Sequence, residues 1–398
     1  MEPIRVDIDR LYSHVLELEG MRHFRRDPGG LDRAADYIAR ELAACGAAVS
    51  EQRFRIEGVE REFRNVEGAV GGSDGAPEFL VTCHYDTMDR TPGANDNASG
   101  TAAMLEAARV LAAEPRPDAR YRFVAFTLEE LHPLLYDATE GKLAELDLTD
   151  GLRRYRTHLM HESMRMYNKV FRRSLVGRGR GYAEAADIAF AAVAARLGPK
   201  ERAYFEHLTS RLRETAGPSE WVGRTCLVGS ALWAERAAAE GRRILGALNL
   251  ETIGFTSDRR GSQRMPSPLF RLLPRWKAEV RRGIGNFVAV VGDRNSRALA
   301  RLFCSACRDD AIGLPYVNAA LPFDFETLAR VARDLLRSDH SPLWKAGIPA
   351  LMITDSADFR YPFYHTEADT IDKLDFEFMA RICAATVATA RSCPARER

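Results

Sequence analysis

The sequence predicts an α/β protein: a mixed, mostly parallel sheet sandwiched by helices and interrupted by one all-α insertion. Three observations carry this. Short apolar runs of strand character alternate with helical patterns over most of the chain, an order that encloses a parallel sheet between helix layers. His84, Glu129/Glu130, Glu251 and His365 all follow such runs, at the carboxyl ends where function gathers in these folds. Between His132 and about Arg224 the strand patterns stop and helical ones take over.

Taken in order, Leu11 to Leu18 and Leu31 to Cys45 carry apolar residues at helical spacing, the second between Pro28-Gly29-Gly30 and Gly46. Ala47 to Ile56 and Glu62 to Val70 alternate like strands, and Gly71 to Gly75 is a turn. The run from Phe79 reads as a buried central strand, followed by a Gly/Asn-rich loop and a helix from Thr101 to Ala113 that Pro115 and Pro117 close. Tyr121 to Thr127 is a further strand. Leu152 to Leu175, Tyr182 to Leu197 and Lys200 to Thr215 are amphipathic or alanine-rich helices separated by Gly177–Gly181 and Gly198-Pro199. Val228 to Ala239 is a helix and Arg243 to Asn249 a strand; Thr256 to Arg282, rich in Pro, Ser and Arg, is irregular. Asn286 to Val291 is a strand, Ser296 to Arg308 and Leu328 to Leu336 are helices, and Ser338 to Pro342 caps a helix reaching Lys345. Pro349 to Thr354 is a strand, and Phe376 to Arg391 is the closing helix.

A chain of 398 residues fits one large domain or two ordinary ones. The organisation expected is a catalytic domain made of 1–131 and 225–398, with 132–224 inserted as a lid or dimerisation subdomain. The formal net charge of +1 provides no global field for nucleic acid, and no apolar stretch is long enough to span a bilayer. Seven scattered cysteines suggest free thiols and a cytoplasmic location. Cys304 and Cys307 form a C-x-x-C within a helical pattern and have no second pair nearby.

The chemistry concentrates where the central strand ends, at His84-Tyr85-Asp86-Thr87, and in Gly93-Ala94-Asn95-Asp96-Asn97-Ala98-Ser99-Gly100. Residues two apart on a strand point the same way. The Asp86 carboxylate is therefore expected on one nitrogen of His84, leaving the other for a metal. Asp96 arrives on a loop able to bend back over the strand end. The next strand delivers the adjacent acids Glu129 and Glu130, which should point apart, one to ligate metal and one to face substrate. Two histidines and three carboxylates suit a pair of zinc-like ions, which together acidify a water and polarise a carbonyl. A carboxylate left free would move the proton.

These motifs, with Asn249-Leu250-Glu251 and Tyr364-His365-Thr366, resemble the co-catalytic zinc aminopeptidase family, which includes glutamate carboxypeptidases and glutaminyl cyclases. The resemblance covers most of the chain outside 132–224 and implies the zinc-exopeptidase, aminopeptidase-like fold. It implies His84, Asp96 and Glu251 on one zinc, with Asp96 bridging to a second held by Glu130 and His365. Glu129 would be the general base, Asp86 would orient His84, and the peptide bond after Asp96 would be strained, even cis. Two zinc ions per chain are expected, with one as the alternative. Many relatives carry aspartate where Glu251 stands. The insertion follows the base directly, where relatives have a short connection, and Val228-Gly229-Ser230-Ala231 resembles the segment that follows it.

The function expected is metal-dependent hydrolysis of an amide bond in a small peptide or aminoacyl-type substrate. The alternatives are glutaminyl-cyclase-like cyclisation and a non-catalytic binding relative, against which every ligand position is filled. The insertion would roof the site or supply a homo-oligomer contact. Arg178 and Arg180 are candidates for a substrate carboxylate; His132, Asp339, His340, Arg360 and Tyr364 are candidates for lining the pocket. His158 and His161 read as surface or packing residues.

Overall fold

Among the described residues, eight strands form one sheet in the order β1-β2-β4-β3-β5-β8-β6-β7. They are β1 (Ala48–Arg55), β2 (Glu62–Val70), β3 (Glu78–His84), β4 (Arg120–Phe126), β5 (Ile244–Glu251), β6 (Val288–Gly292), β7 (Tyr316–Ala320) and β8 (Ala350–Thr354). The computed structural model describes residues 4–73, 75–150, 154–178, 180–214, 222–264 and 283–395. Pairings β3–β4, β3–β5, β5–β8 and β6–β7 are parallel; β1–β2, β2–β4 and β6–β8 are antiparallel. The sheet is thus mixed and mostly parallel, as the sequence predicts.

β3 is buried along its whole length because it is central and covered on both faces. Phe79, Val81 and Cys83 enter one apolar cluster with the helices Ile8–Leu18, Gly100–Ala112 and Phe376–Ser392. Leu80 enters another with Val228–Ala239 and His340–Lys345. This is the period-two alternation of a strand. In register, His84 lies opposite Phe126, and Thr82 opposite Asn249, so the segments following β3, β4 and β5 leave the sheet at one edge.

The segment after Glu130 is helical: Pro133–Glu145, His158–Arg178, Tyr182–Ala194 and Pro199–Glu214. Leu143, Leu148, Met160, Tyr167, Val193 and Phe205 belong to a separate small core. Its root is closed by backbone hydrogen bonds: Leu227 N–H to Glu129 O (2.9 Å), Val228 N–H to Leu128 O (2.9 Å) and Gly229 N–H to Thr127 O (3.1 Å).

Three elements differ from expectation. Helix Pro133–Glu145 was hidden because it contains Gly141, a poor helix former, and its buried residues, Pro133, Tyr136 and Leu143, make no continuous stripe. β7 is a five-residue edge strand, half exposed, with too short an alternation to read. The pattern at Leu328 to Leu336 divides into a helix Phe325–Val331 and a 3₁₀ turn Arg333–Leu336. Of the irregular segment Thr256 to Arg282, residues 265–282 lie outside the described residues.

Candidate metal centre

At the shared edge, two groups of ligand atoms stand side by side. His84, Glu129 and Glu251 form one, and Asp96, Glu130 and His365 the other. Asp96 lies between the imidazoles: its Oδ1 is 3.2 Å from His84 Nε2 and its Oδ2 is 3.0 Å from His365 Nε2. Glu251 Oε2 is 3.4 Å from His84 Nε2, and Glu130 Oε2 is 3.2 Å from His365 Nε2. The adjacent acids Glu129 and Glu130 therefore fall in different groups. Leu128, just before them, has φ 56°, Thr252, just after Glu251, 47°, and His365 itself 57°. A non-glycine residue in this region costs about 1–2 kcal/mol, and three such bends at one site mark positions that the surroundings enforce.

The loop bearing Asp96 is held from all sides. Gly93 opens it with φ 68°, where a Cβ would meet Thr87 and the Asp96 carbonyl. Asn95 N–H and Asp96 N–H donate to the Asp369 carboxylate at 2.8 and 3.1 Å, and Tyr361 Oη–H donates to it at 2.8 Å. Asn97 Nδ2 donates to Leu250 O (2.8 Å), and its Oδ1 accepts from Thr252 N–H (3.2 Å), tying Asp96 to the end of β5. The Asp96–Asn97 peptide bond is cis. Behind Glu251, Ser338 Oγ donates to its carboxylate at 2.6 Å and accepts from Asn249 Nδ2 at 2.7 Å; Thr82 Oγ1 donates to Asn249 Oδ1 at 2.9 Å.

Asp86 stands beside His84 Nδ1, as expected, and does more. Its carboxylate is 3.6 Å from His84 Nδ1, which is closer to the Asp86 backbone carbonyl at 3.2 Å. The carboxylate also accepts from the N–H groups of Glu129 (3.1 Å) and Glu130 (3.2 Å).

Electrostatically the centre is an excess of buried acid. Burial pushes the Glu129 carboxyl well above the usual range and Glu130 up to about 7. Burial alone would keep the imidazoles neutral, yet the acids around them override it: Glu251 and Glu129 raise His84 well above its ordinary value, and Glu130 and Asp96 raise His365 to about 10. His84 Nε2, His365 Nε2, Asp96 Oδ2 and Glu130 Oε1 are buried without a hydrogen bond, although these groups approach one another closely. Clustered imidazole nitrogens and carboxylate oxygens with lone pairs to spare fit a divalent, zinc-like cation.

Of the other candidates, Tyr364 stacks on His365 with centroids 3.8 Å apart. The Asp339 carboxylate is fully buried beside the centre, and burial raises it to about 7. His340 is a packing residue, Nε2 meeting Leu335 O at 2.7 Å and its ring edge-on to Trp344. Arg360 is buried over Phe287, donating to Gln263 Oε1 at 2.9 Å and Phe255 O at 3.3 Å. His132 caps helix Pro133–Glu145 through Leu134 N–H. Arg180 pairs with Glu184 on the insertion, and the Arg178 side chain lies outside the described residues. His158 and His161 are exposed. Sequence reasoning passed over Ser338, Asp369 and Arg22. The first two sit inside motifs already singled out, whereas Arg22 carries no local signal.

Residues 65–160 and 290–390 match the model of peptidase family M28. An uncharacterized protein of Escherichia coli, YfbL, is 25% identical over 364 residues, covering 88% of this chain and 77% of its own. A probable zinc metalloprotease of Pyrenophora tritici-repentis is 33% identical over 135 residues, 28% of this chain and 27% of its own. Among solved structures, the LapA aminopeptidase of Legionella pneumophila superposes with a TM-score of 0.56 at 16% identity, covering 97% of this chain and 71% of that one. Porphyromonas gingivalis glutaminyl cyclase superposes at 0.53 and 15% identity, covering 97% and 98%. With the family's two matched blocks spanning the β3 edge and the His365 loop, the chain belongs to peptidase family M28.

Proposed function

We propose that this chain is a zinc-dependent exopeptidase of small peptides, removing a residue with an apolar side chain, and that it works with two metal ions. The observation that carries this reading is Asp96 standing between two imidazoles, each with its own further carboxylate. His84, Asp96 and Glu251 would hold one ion, and Asp96, Glu130 and His365 the other. When bound, such ions polarise the scissile carbonyl and acidify water.

Glu129 is the proton carrier. Its backbone is pinned by Asp86, and among the described residues its carboxylate has no ion pair, unlike that of its neighbour Glu130. It takes a proton from the attacking water and returns it to the leaving amine. Beside Glu251 and Tyr364 opens an apolar cavity walled by Phe287, Ala289, Val291, Val317, Ala319 and Met352, with the Arg337–Asp358 pair (3.0 Å) at its lining. It offers a seat for an apolar side chain.

The insertion supports restricted access. Its first helix starts three residues after Glu130, and the Arg180 carbonyl accepts from Arg333, next to the cavity-lining Asp334 and Leu335. Seven free cysteines suit a reducing, cytoplasmic setting, and among the described residues no helix is long and apolar enough to cross a membrane.

The test is a screen of free, N-blocked and C-blocked dipeptides with zinc-loaded protein, alongside Glu129→Gln. Release of an amino acid by the wild type, lost in Glu129→Gln with zinc retained, is the expected result. Ammonia release from an N-terminal glutamine peptide without hydrolysis would replace this reading with cyclisation, and full activity in Glu129→Gln would refute the base.

A further inference from the structure

We propose that Arg22 is a positioning residue for the metal centre, fixing the turn from which Asp96 is delivered. Its side chain is enclosed, with the residue only 2% exposed. Nε donates to Tyr85 O at 2.7 Å, Nη1 to Gly20 O at 2.8 Å, to Pro92 O at 3.0 Å and to Leu18 O, and Nη2 to Gly93 O at 2.9 Å. Its backbone is tied as well: Arg22 N–H donates to Thr87 Oγ1 (3.0 Å), and Arg22 O accepts from Thr87 N–H (3.1 Å).

The acceptors of this one guanidinium come from three segments. Leu18 ends the first helix and Gly20 follows it, Tyr85 lies between His84 and Asp86, and Pro92 and Gly93 precede Asp96 by a few residues. Arg22 therefore joins the strand end that presents His84 to the turn that presents Asp96. Gly93 has no side chain to spare for this junction: a Cβ there would run into Arg22 Nη2 at 2.7 Å as well as the Asp96 carbonyl. The planar fork, with its donors in fixed directions, is what a lysine cannot reproduce.

The choice of residue also needs explaining, because all these acceptors are neutral carbonyls. A buried charge without a carboxylate in contact is costly on its own. Burial lowers Arg22 to about 10, and the neighbouring acids Asp369, Asp86, Asp96 and Glu130 oppose part of that through space, so the group keeps its charge at neutral pH. A residue serving only to staple the first helix would not need to sit in that field. The inference rests on the metal-centre reading, since it concerns the placement of that centre's ligands.

The experiment measures zinc affinity by competition with a chromophoric chelator in the full-length protein, for wild type, Arg22→Lys and Arg22→Ala. Arg122→Met, which breaks the buried pairs with Glu67 and Glu78, is the reference for destabilisation alone. Both Arg22 variants are expected to bind zinc about 10–100-fold more weakly, and millimolar guanidinium to restore part of the loss in Arg22→Ala. Arg122→Met should lower Tm while leaving zinc affinity near wild type. Should Arg22→Ala not fold, Arg22→Lys decides. Wild-type zinc affinity in Arg22→Lys, or an equal loss in Arg122→Met, overturns the role of Arg22. Failure of the wild-type protein to take up zinc would instead overturn the metal reading beneath it.

Discussion

Two clusters of buried charge stand on one sheet, and their balance differs. In one, Glu78 at the start of β3 and Glu67 on β2 are met by three guanidinium groups. Arg122 grips Glu78 with both Nη2 (2.6 Å) and Nε (2.8 Å) and reaches Glu67 at 3.2 Å; Arg242 adds a 3.4 Å contact to Glu67, and Arg236 another. In the other, Asp96, Glu129, Glu130 and Glu251 converge on two imidazoles, with lone pairs left over. A buried network that closes on itself is a structural device, and its worth lies in not being broken. One that leaves acid and lone pairs in excess is built for a cation that the chain does not supply.

That contrast can be tested from both sides. Glu129→Gln should reduce kcat by about 10²–10⁴-fold, measured by steady-state hydrolysis with zinc stoichiometry unchanged. Arg122→Met should do the reverse, keeping kcat within about twofold per occupied site while costing about 3–5 kcal/mol in a denaturant titration. A large loss of turnover in a folded Arg122→Met would mean that the two clusters are not independent.

Zinc removal should destabilise the protein by about 2.7 kcal/mol per occupied site relative to zinc held at a hundred times its dissociation constant, read as a fall in Tm after chelation. An unchanged Tm would show that the acidic cluster needs no cation. Asp86→Asn leaves one acceptor oxygen where two N–H groups now share a carboxylate; kcat should fall about tenfold with zinc content near normal. Outside both clusters, His14 is buried against the Tyr37 hydroxyl (2.6 Å), and burial lowers it to about 4. The folded state thus favours the neutral ring. Its contribution is intact above pH 6.5 and lost as pH falls toward 4, the loss reaching about 1 kcal/mol by pH 5.5. Denaturant titrations at pH 7.5 and 5.5 should show this acid limb diminished in His14→Gln. An identical acid limb in His14→Gln would assign the acid sensitivity to other groups.

Legibility followed the range of the interactions. The β3 run and the Gly93–Gly100 loop could be read directly because their signals are local: a short apolar stretch, a turn-forming cluster, polar residues at the boundary. Helix Pro133–Glu145 and edge strand β7 were missed because one has no continuous apolar stripe and the other is too short and half exposed. The Asp86 carboxylate was placed beside His84, where it lies, but its grip on the N–H groups of Glu129 and Glu130 could not be read.

By itself the sequence determined the fold class, the sheet edge where chemistry gathers and the residue types gathered there, because periodicity and residue chemistry are properties of short windows. Only the tertiary structure decided how closely each acid approaches its imidazole, that Asp86 also holds the N–H groups of Glu129 and Glu130, and that Arg22 binds the turn before Asp96. Those outcomes depend on contacts between segments up to hundreds of residues apart, such as Asp96 with His365, and a contact of that kind leaves no trace in either segment alone.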